Sequence, residues 1–309
     1  MKNKIILGAL LVVALITLYN SENYVDQYIQ KINNYSATFF SMGITVKDLV
    51  KKYDSPKSNH KIKILIVPGH EPNFGGAEYK DLKERDLNLI LSEKIRKNLE
   101  KNKKFEIITS RDNNGWNPKI ESYISNNKDS IVSWVNNAKR EMLSLINNGK
   151  VTVVNAKMGH SVAPQNSAIF LYGINKWAGE NKIDISIHLH FNDNPKYKGK
   201  PTYEGFSIYV PEKQYSNGTS SKILAKNLMD EISKIQKVST MKEESIGVIE
   251  DQELIALGSY NTSDSLSVLI EYAYIYENFM QSTSTRNNFI NIAASSTAKA
   301  IENFFESRI

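Results

Sequence analysis

The chain has 309 residues, 41% hydrophobic and 23% charged, which is enough apolar sequence for a globular domain with a sizeable core. It has no cysteine, which excludes disulfides, a lipidated cysteine, thiolate zinc sites and thiol catalysis, and leaves His, Asp and Glu as metal donors. The net charge of +6 would draw it to anionic surface polymers or head groups, but no basic cluster alternates with aromatics, so no nucleic-acid partner is expected.

Lys2 and Lys4 precede an unbroken apolar run from Ile5 to Leu18. That layout belongs to a secretory signal or a short anchor, although a full span usually takes roughly 20 apolar residues. No small-x-small cleavage site follows in TLYNSENY. The expectation is a single-pass anchor over residues 1–20 with the remainder outside the cytoplasm. A cleaved signal peptide and a secreted protein are the alternative. Residues 21–60 read as a helical stalk, or an accessory helical segment, and a linker: Tyr24, Tyr28, Ile29, Ile32 and Tyr35 are amphipathically spaced, and DSPKSNHK is a linker by composition. His60 lies in that linker and reads as solvated.

The main domain, 61–309, opens with KIKILIVPGH, a strand ended by Pro68-Gly69. A helix follows, with Leu87, Ile90, Leu91, Ile95 and Leu99 on one face, then the strand KFEIITSRD. Strand, helix, strand predicts a βαβ unit and an α/β fold, its twisted sheet mixed but mostly parallel and flanked by helices. A segment from about 116 to 170 interrupts the alternation with helical and extended text. His160, within it, reads as a loop residue, and Ile131, Trp134, Val135, Met142 and Ile146 need a surface to cover. That surface is either the active site, making the segment a lid or the docking element of an activating protein, or the flank of the domain. The alternation resumes with the helix YGINKWAGENK, the strands IDISIHLHF and EGFSIYV, a helix, a loop around EESIGVIEDQELIALGS, the strand LSVLIEYAYI and a final helix.

Four places could carry chemistry. His70 closes the first strand, where ligands collect in open α/β sheets, but a lone His in a glycine turn is commonly just a turn residue. Glu84 opens a helix, where a carboxylate also simply complements the macrodipole. Glu271 lies inside an apolar strand, so it must be used or be paired, with Arg111 or a lysine as the pairing alternative. His188 and His190 share one strand face. In a cysteine-free exported protein such a pair suggests zinc with a carboxylate, although no H-E-x-x-H motif is present.

In order, KILIVPGH, KERDLNL, IITSRD, IDISIHLHFND, EGFSIYV and SVLIEYAYI resemble the catalytic domain of zinc-dependent N-acetylmuramoyl-L-alanine amidases, the type-3 cell-wall amidases, over about Lys61–Phe305. In that family one zinc is bound by the His of the Gly-His turn, a Glu opening the next helix and a His in a D-x5-H-x-N strand. The resemblance therefore implies His70, Glu84 and His190 as Zn2+ ligands, since Asp184, His190 and Asn192 fit the frame. His188 then stands where the family usually has Ser and is the alternative third ligand. The family's L-V-E-x-x-F strand places the catalytic base at Glu271. The implied reaction is hydrolysis of the amide between N-acetylmuramic acid and L-alanine in peptidoglycan, for wall remodelling or cell separation. A peptidase using the same site, or a wall-binding protein without turnover, are the alternatives. Val67 and Glu71 depart from the Asp and Gly common around Pro-Gly-His, an Arg-containing helix is replaced by YGINKWAGEN, and the 116–170 segment has no counterpart in a minimal member.

Overall fold

The computed structural model describes residues 43–56, 60–72, 75–155, 163–193 and 203–306. The expected anchor, most of the expected stalk and His160 lie outside the described residues. Among the described residues no helix is long and apolar enough to cross a membrane.

The chain enters through α1 (Val46–Tyr53), capped by Thr45, whose hydroxyl accepts from Asp48 N at 3.1 Å. Then come β1 (Ile62–Pro68), the short β2 (Glu78–Tyr79) and β3 (Leu82–Lys83), α2 (Glu84–Leu99), β4 (Phe105–Thr109) and the hairpin β5 (Arg111–Asp112) and β6 (Gly115–Trp116). Three helices follow, α3 (Pro118–Asn126), α4 (Lys128–Asn147) and α5 (Gln165–Glu180). The second half holds β7 (Ile185–Asn192), β8 (Ser207–Pro211), α6 (Gly218–Ile232), β9 (Val248–Asp251), β10 (Leu266–Tyr274), α7 (Asn278–Gln281) and α8 (Thr283–Glu306).

Six strands form one sheet in the order β4-β1-β7-β10-β8-β9. All neighbours pair in parallel except β8 with β10. β1, α2 and β4 form the expected βαβ unit, and the α/β reading with a mostly parallel mixed sheet holds. β1 is buried at six of seven positions because both faces of the sheet are covered. On one face Ile64, Ile66, Ile187, Leu189 and Phe191 join residues of α1, α2, α6 and α8 in the larger core. On the other, Leu65 and Val67 pack under Ile120 and Ile124 of α3, Ile131 and Val135 of α4, and Tyr172, Ile174 and Trp177 of α5.

The structure changes four expectations and decides one alternative that the sequence left open. α1, read as stalk, places Val46, Leu49 and Tyr53 in the core; Tyr53 stacks on Phe305 at 4.6 Å and Lys52 Nζ lies 2.6 Å from Asp184 Oδ2. The described helices of the interrupting segment cover the flank of the sheet, so they form one of its layers. α5 begins at Gln165, ahead of the expected start, because YGINKWAGENK is only the later part of an apolar-faced helix. Ile90 is 44% exposed, off the buried stripe of Leu87, Leu91, Ile95 and Leu99, and the loop around EESIGVIEDQELIALGS contains the edge strand β9.

Candidate metal centre

The site is assembled at the carboxyl ends of β1, β7 and β10 and at the first residue of α2. β1 stops at Pro68, and Gly69 N still donates to Leu189 O of β7 at 2.9 Å. Gly69 has to be glycine: a Cβ there would lie 2.3 Å from His190 Cε1. The chain then turns out of the sheet through His70, whose φ of 69° is unusual for a residue with a side chain. This turn is fixed by Arg111, a buried guanidinium donating to Gly69 O at 2.7 Å, Arg85 O at 2.9 Å and Pro68 O at 3.2 Å. It thus ties the His70 turn to the first turn of the Glu84 helix.

Glu84 is buried and held on both oxygens. Ala77 N donates to Oε2 at 2.7 Å and Phe191 N to Oε1 at 3.1 Å, while Glu84 N donates to Ala77 O at 2.9 Å. Each oxygen also faces one imidazole: His70 Nε2 stands 2.8 Å from Oε2, and His190 Nδ1 stands 2.9 Å from Oε1. One donor atom from each of the three residues lies within 4.8 Å of the other two. Gly76 lines the same cradle, since a Cβ there would lie 2.8 Å from His70 Cδ2 and 3.1 Å from Glu84 Oε2.

Burial acts to raise the Glu84 carboxyl, but the hydrogen bonds from His190 and His70 outweigh it and hold the group well below the usual carboxylate range. Burial pushes the His190 imidazole below its ordinary value despite the pull of Glu84. The centre therefore presents an ionised carboxylate beside an imidazole that favours its neutral, ligating form. Two imidazoles and one carboxylate are a donor set suited to a catalytic metal with an open position, and the residues present fit such an ion.

Glu271 pairs with His190 in the parallel β7–β10 register, and on its other side with Ser207 of β8. Its Oε2 is buried without a hydrogen-bond partner, and burial, reinforced by the charges of Glu84 and Glu244, raises the carboxyl well above its usual value. Among the described residues neither Arg111 nor a lysine is bonded to Glu271: Arg111 donates through Nε and Nη2 to backbone carbonyls, and its Nη1 is buried without a partner. His188 shares the strand face but lies one row deeper, between Val67 and Leu269, and is outside the three-residue donor group. Burial, with His190 nearby, pushes its imidazole down to about 3, so it is neutral. His60 is exposed beside Ser55, 3.2 Å away. A cavity of about 540 Å³, whose lining begins at Glu71, one residue past His70, is bounded by Glu71, Pro72, Asp112, Asn114, Gly115, Trp116, Pro118 and Glu121. Sequence reasoning missed Glu244, which is fully buried near Glu271; a loop glutamate in EES carries no signal of burial.

The model of the N-acetylmuramoyl-L-alanine amidase family matches residues 64–303. Among solved structures, the N-acetylmuramyl-L-alanine amidase of Mycobacterium smegmatis superposes with a TM-score of 0.51 at 13% identity, covering 80% of this chain and 98% of that one. The CwlD amidase of Clostridioides difficile, in complex with the GerS lipoprotein, gives 0.51 at 15% identity, covering 80% and 100%. At such identities these two likenesses speak for the fold. Curated protein sequences give no match. The matched range takes in His70, Glu84, His190 and Glu271, and the chain belongs to the N-acetylmuramoyl-L-alanine amidase family.

Proposed function

We propose that His70, Glu84 and His190 hold one zinc ion and that Glu271 is the general base in hydrolysis of the amide joining N-acetylmuramic acid to L-alanine of the peptidoglycan stem. The observation that carries this reading is the convergence of two imidazoles on the two oxygens of one buried carboxylate, with an unpaired carboxyl in the adjacent strand position. When bound, the zinc supplies a Lewis acid for the amide carbonyl and acidifies a water. Glu84 and the two imidazoles contribute the donor atoms, and Arg111 keeps their two elements in place. Glu271, with its raised proton affinity, takes a proton from the attacking water and passes it to the leaving amine. His190 is preferred over His188 as ligand because it faces Glu84 directly. His188 supports the site from below as a neutral imidazole.

The apolar run behind Lys2 and Lys4 supports a membrane anchor with the catalytic domain outside the cytoplasm, where peptidoglycan lies.

The test is digestion of purified peptidoglycan by the zinc-supplemented protein beginning at Gly43, with Glu271→Ala alongside and fragments identified by mass. Free stem peptides and peptide-free glycan, absent with the variant, are expected. Cuts within the peptide would replace the amidase reading by a peptidase one. Fractionation of cells should place the full chain with the membrane and the protein beginning at Gly43 in the soluble fraction; a soluble full-length protein would remove the anchor.

A further inference from the structure

Around Glu271 the sheet is irregular. β7 and β10 pair in register as far as His190 with Glu271, and then the register shifts before Asn192 pairs with Tyr274. A bulge of this kind re-aims a side chain, but it also leaves the segment less securely held by the backbone ladder. Glu244 lies at this irregularity. It is fully buried, and its hydrogen-bond donors are all neutral. Asn192 Nδ2 and Tyr209 Oη donate to Oε1 at 2.9 and 2.7 Å, while Tyr274 Oη and Ser239 Oγ donate to Oε2 at 2.8 and 2.5 Å.

A buried carboxylate facing only neutral donors is costly, and a well-packed apolar side chain would serve the fold at least as well. What the carboxylate achieves is a cross-tie. Asn192 and Tyr274 are the pair just beyond the bulge, and Tyr209 belongs to β8, the strand on the other side of Glu271. The three ties span β7, β10 and β8, which are consecutive in the sheet with Glu271 on the middle strand.

We propose that Glu244 is a positioning residue for Glu271: by pinning Asn192, Tyr274 and Tyr209 it fixes the bulged segment from which the base projects. This deepens the amidase reading and rests on it. A Gln at 244 keeps the frame, because its carbonyl still accepts from Asn192 and Tyr209 while the Tyr274 and Ser239 hydroxyls turn to accept from its amide. An Ala removes every tie.

The experiment compares wild type, Glu244→Gln and Glu244→Ala as zinc-loaded proteins on soluble muropeptides, with urea unfolding measured in parallel. Glu244→Ala should lose on the order of 10- to 100-fold in kcat with KM little changed, the effect of misplacing a catalytic group, and Glu244→Gln should recover most of it. Wild-type kcat in a folded Glu244→Ala protein, or a Gln variant as impaired as the Ala one, would overturn the proposal. Should Glu244→Ala not fold, Asn192→Ala removes one tie alone. It should lower kcat in the same sense, and wild-type kcat there would be equally damaging. Amide hydrogen exchange across Glu271–Tyr274 in the metal-free proteins separates this inference from the amidase reading. Exchange should be about tenfold or more faster in Glu244→Ala than in wild type or Glu244→Gln, whatever the wild type cleaves, because an untied bulge opens locally. Unchanged exchange would refute the cross-tie, and wild-type protein that releases no stem peptide would refute the amidase reading instead.

Discussion

Glu271 shows what an unpaired buried carboxyl costs its own fold. Its buried Oε2 has no partner, and its proton affinity is raised by burial and by the charges of Glu84 and Glu244. An acid with a higher pKa folded than unfolded holds more protons in the folded state, so stability falls as pH climbs from the unfolded value of 4.5 towards the folded one and stays lower above it. Glu271→Gln should therefore stabilise the metal-free protein at neutral pH by about 1–3 kcal/mol while abolishing turnover. The gain should vanish below pH 4.5, which urea unfolding at several pH values would show. A wild-type advantage at neutral pH would mean that the carboxyl finds a partner. At this scale the sequence was informative where chemistry and context clashed. A carboxylate among Val268, Leu269 and Ile270 announced itself, and the family's D-x5-H-x-N frame favoured His190 while leaving His188 as the alternative. Glu84 was less legible, since a helix-opening acid has an ordinary explanation; only the three-dimensional meeting with His70 and His190 removes it. Glu244 had no signal, because its burial is created by strands distant in sequence.

Among the elements, strands and helices with clean periodicity were readable and those shaped by tertiary contacts were not. β1, α2, β4, β7, β8, β10 and α8 follow their apolar patterns. β9 was hidden because a four-residue edge strand needs β8 to define it. The helices α3 and α4 show the difference between amphipathicity and role: an apolar stripe says that something is covered without saying what. Here it covers Leu65 and Val67 on the flank of the sheet. Ile131, fully buried in that layer, is a sharp probe. Ile131→Ala should cost about 2–5 kcal/mol in unfolding free energy and leave the cleavage product unchanged. A lid would behave oppositely, with little loss of stability and a rise in activity.

For the molecule as a whole, the α/β class, the mostly parallel sheet and the order of the motifs were all present in the text, because parallel strands covered on both faces leave long apolar runs that little else produces. The extent of the catalytic body was less visible. Composition suggests a boundary at the DSPKSNHK linker, yet the contacts cross it. Asp184 of the D-x5-H-x-N frame is buried at the head of β7, where Lys63 N donates to it at 2.7 Å and Lys52 of α1 is its cationic partner. The consequence concerns where the protein can be trimmed. Starting it at Ser55 would discard Lys52 and Tyr53 together, stranding a charged carboxylate beneath the site-bearing strand and baring the aromatic surface of Phe305. Losing the half-buried Lys52–Asp184 pair together with the Tyr53–Phe305 stack should make such a fragment melt well below one that begins at Gly43. Equal melting temperatures would show α1 to be dispensable. The segment that looks like a tether is thus the first brace of the enzyme, and a minimal active unit has to be cut ahead of it.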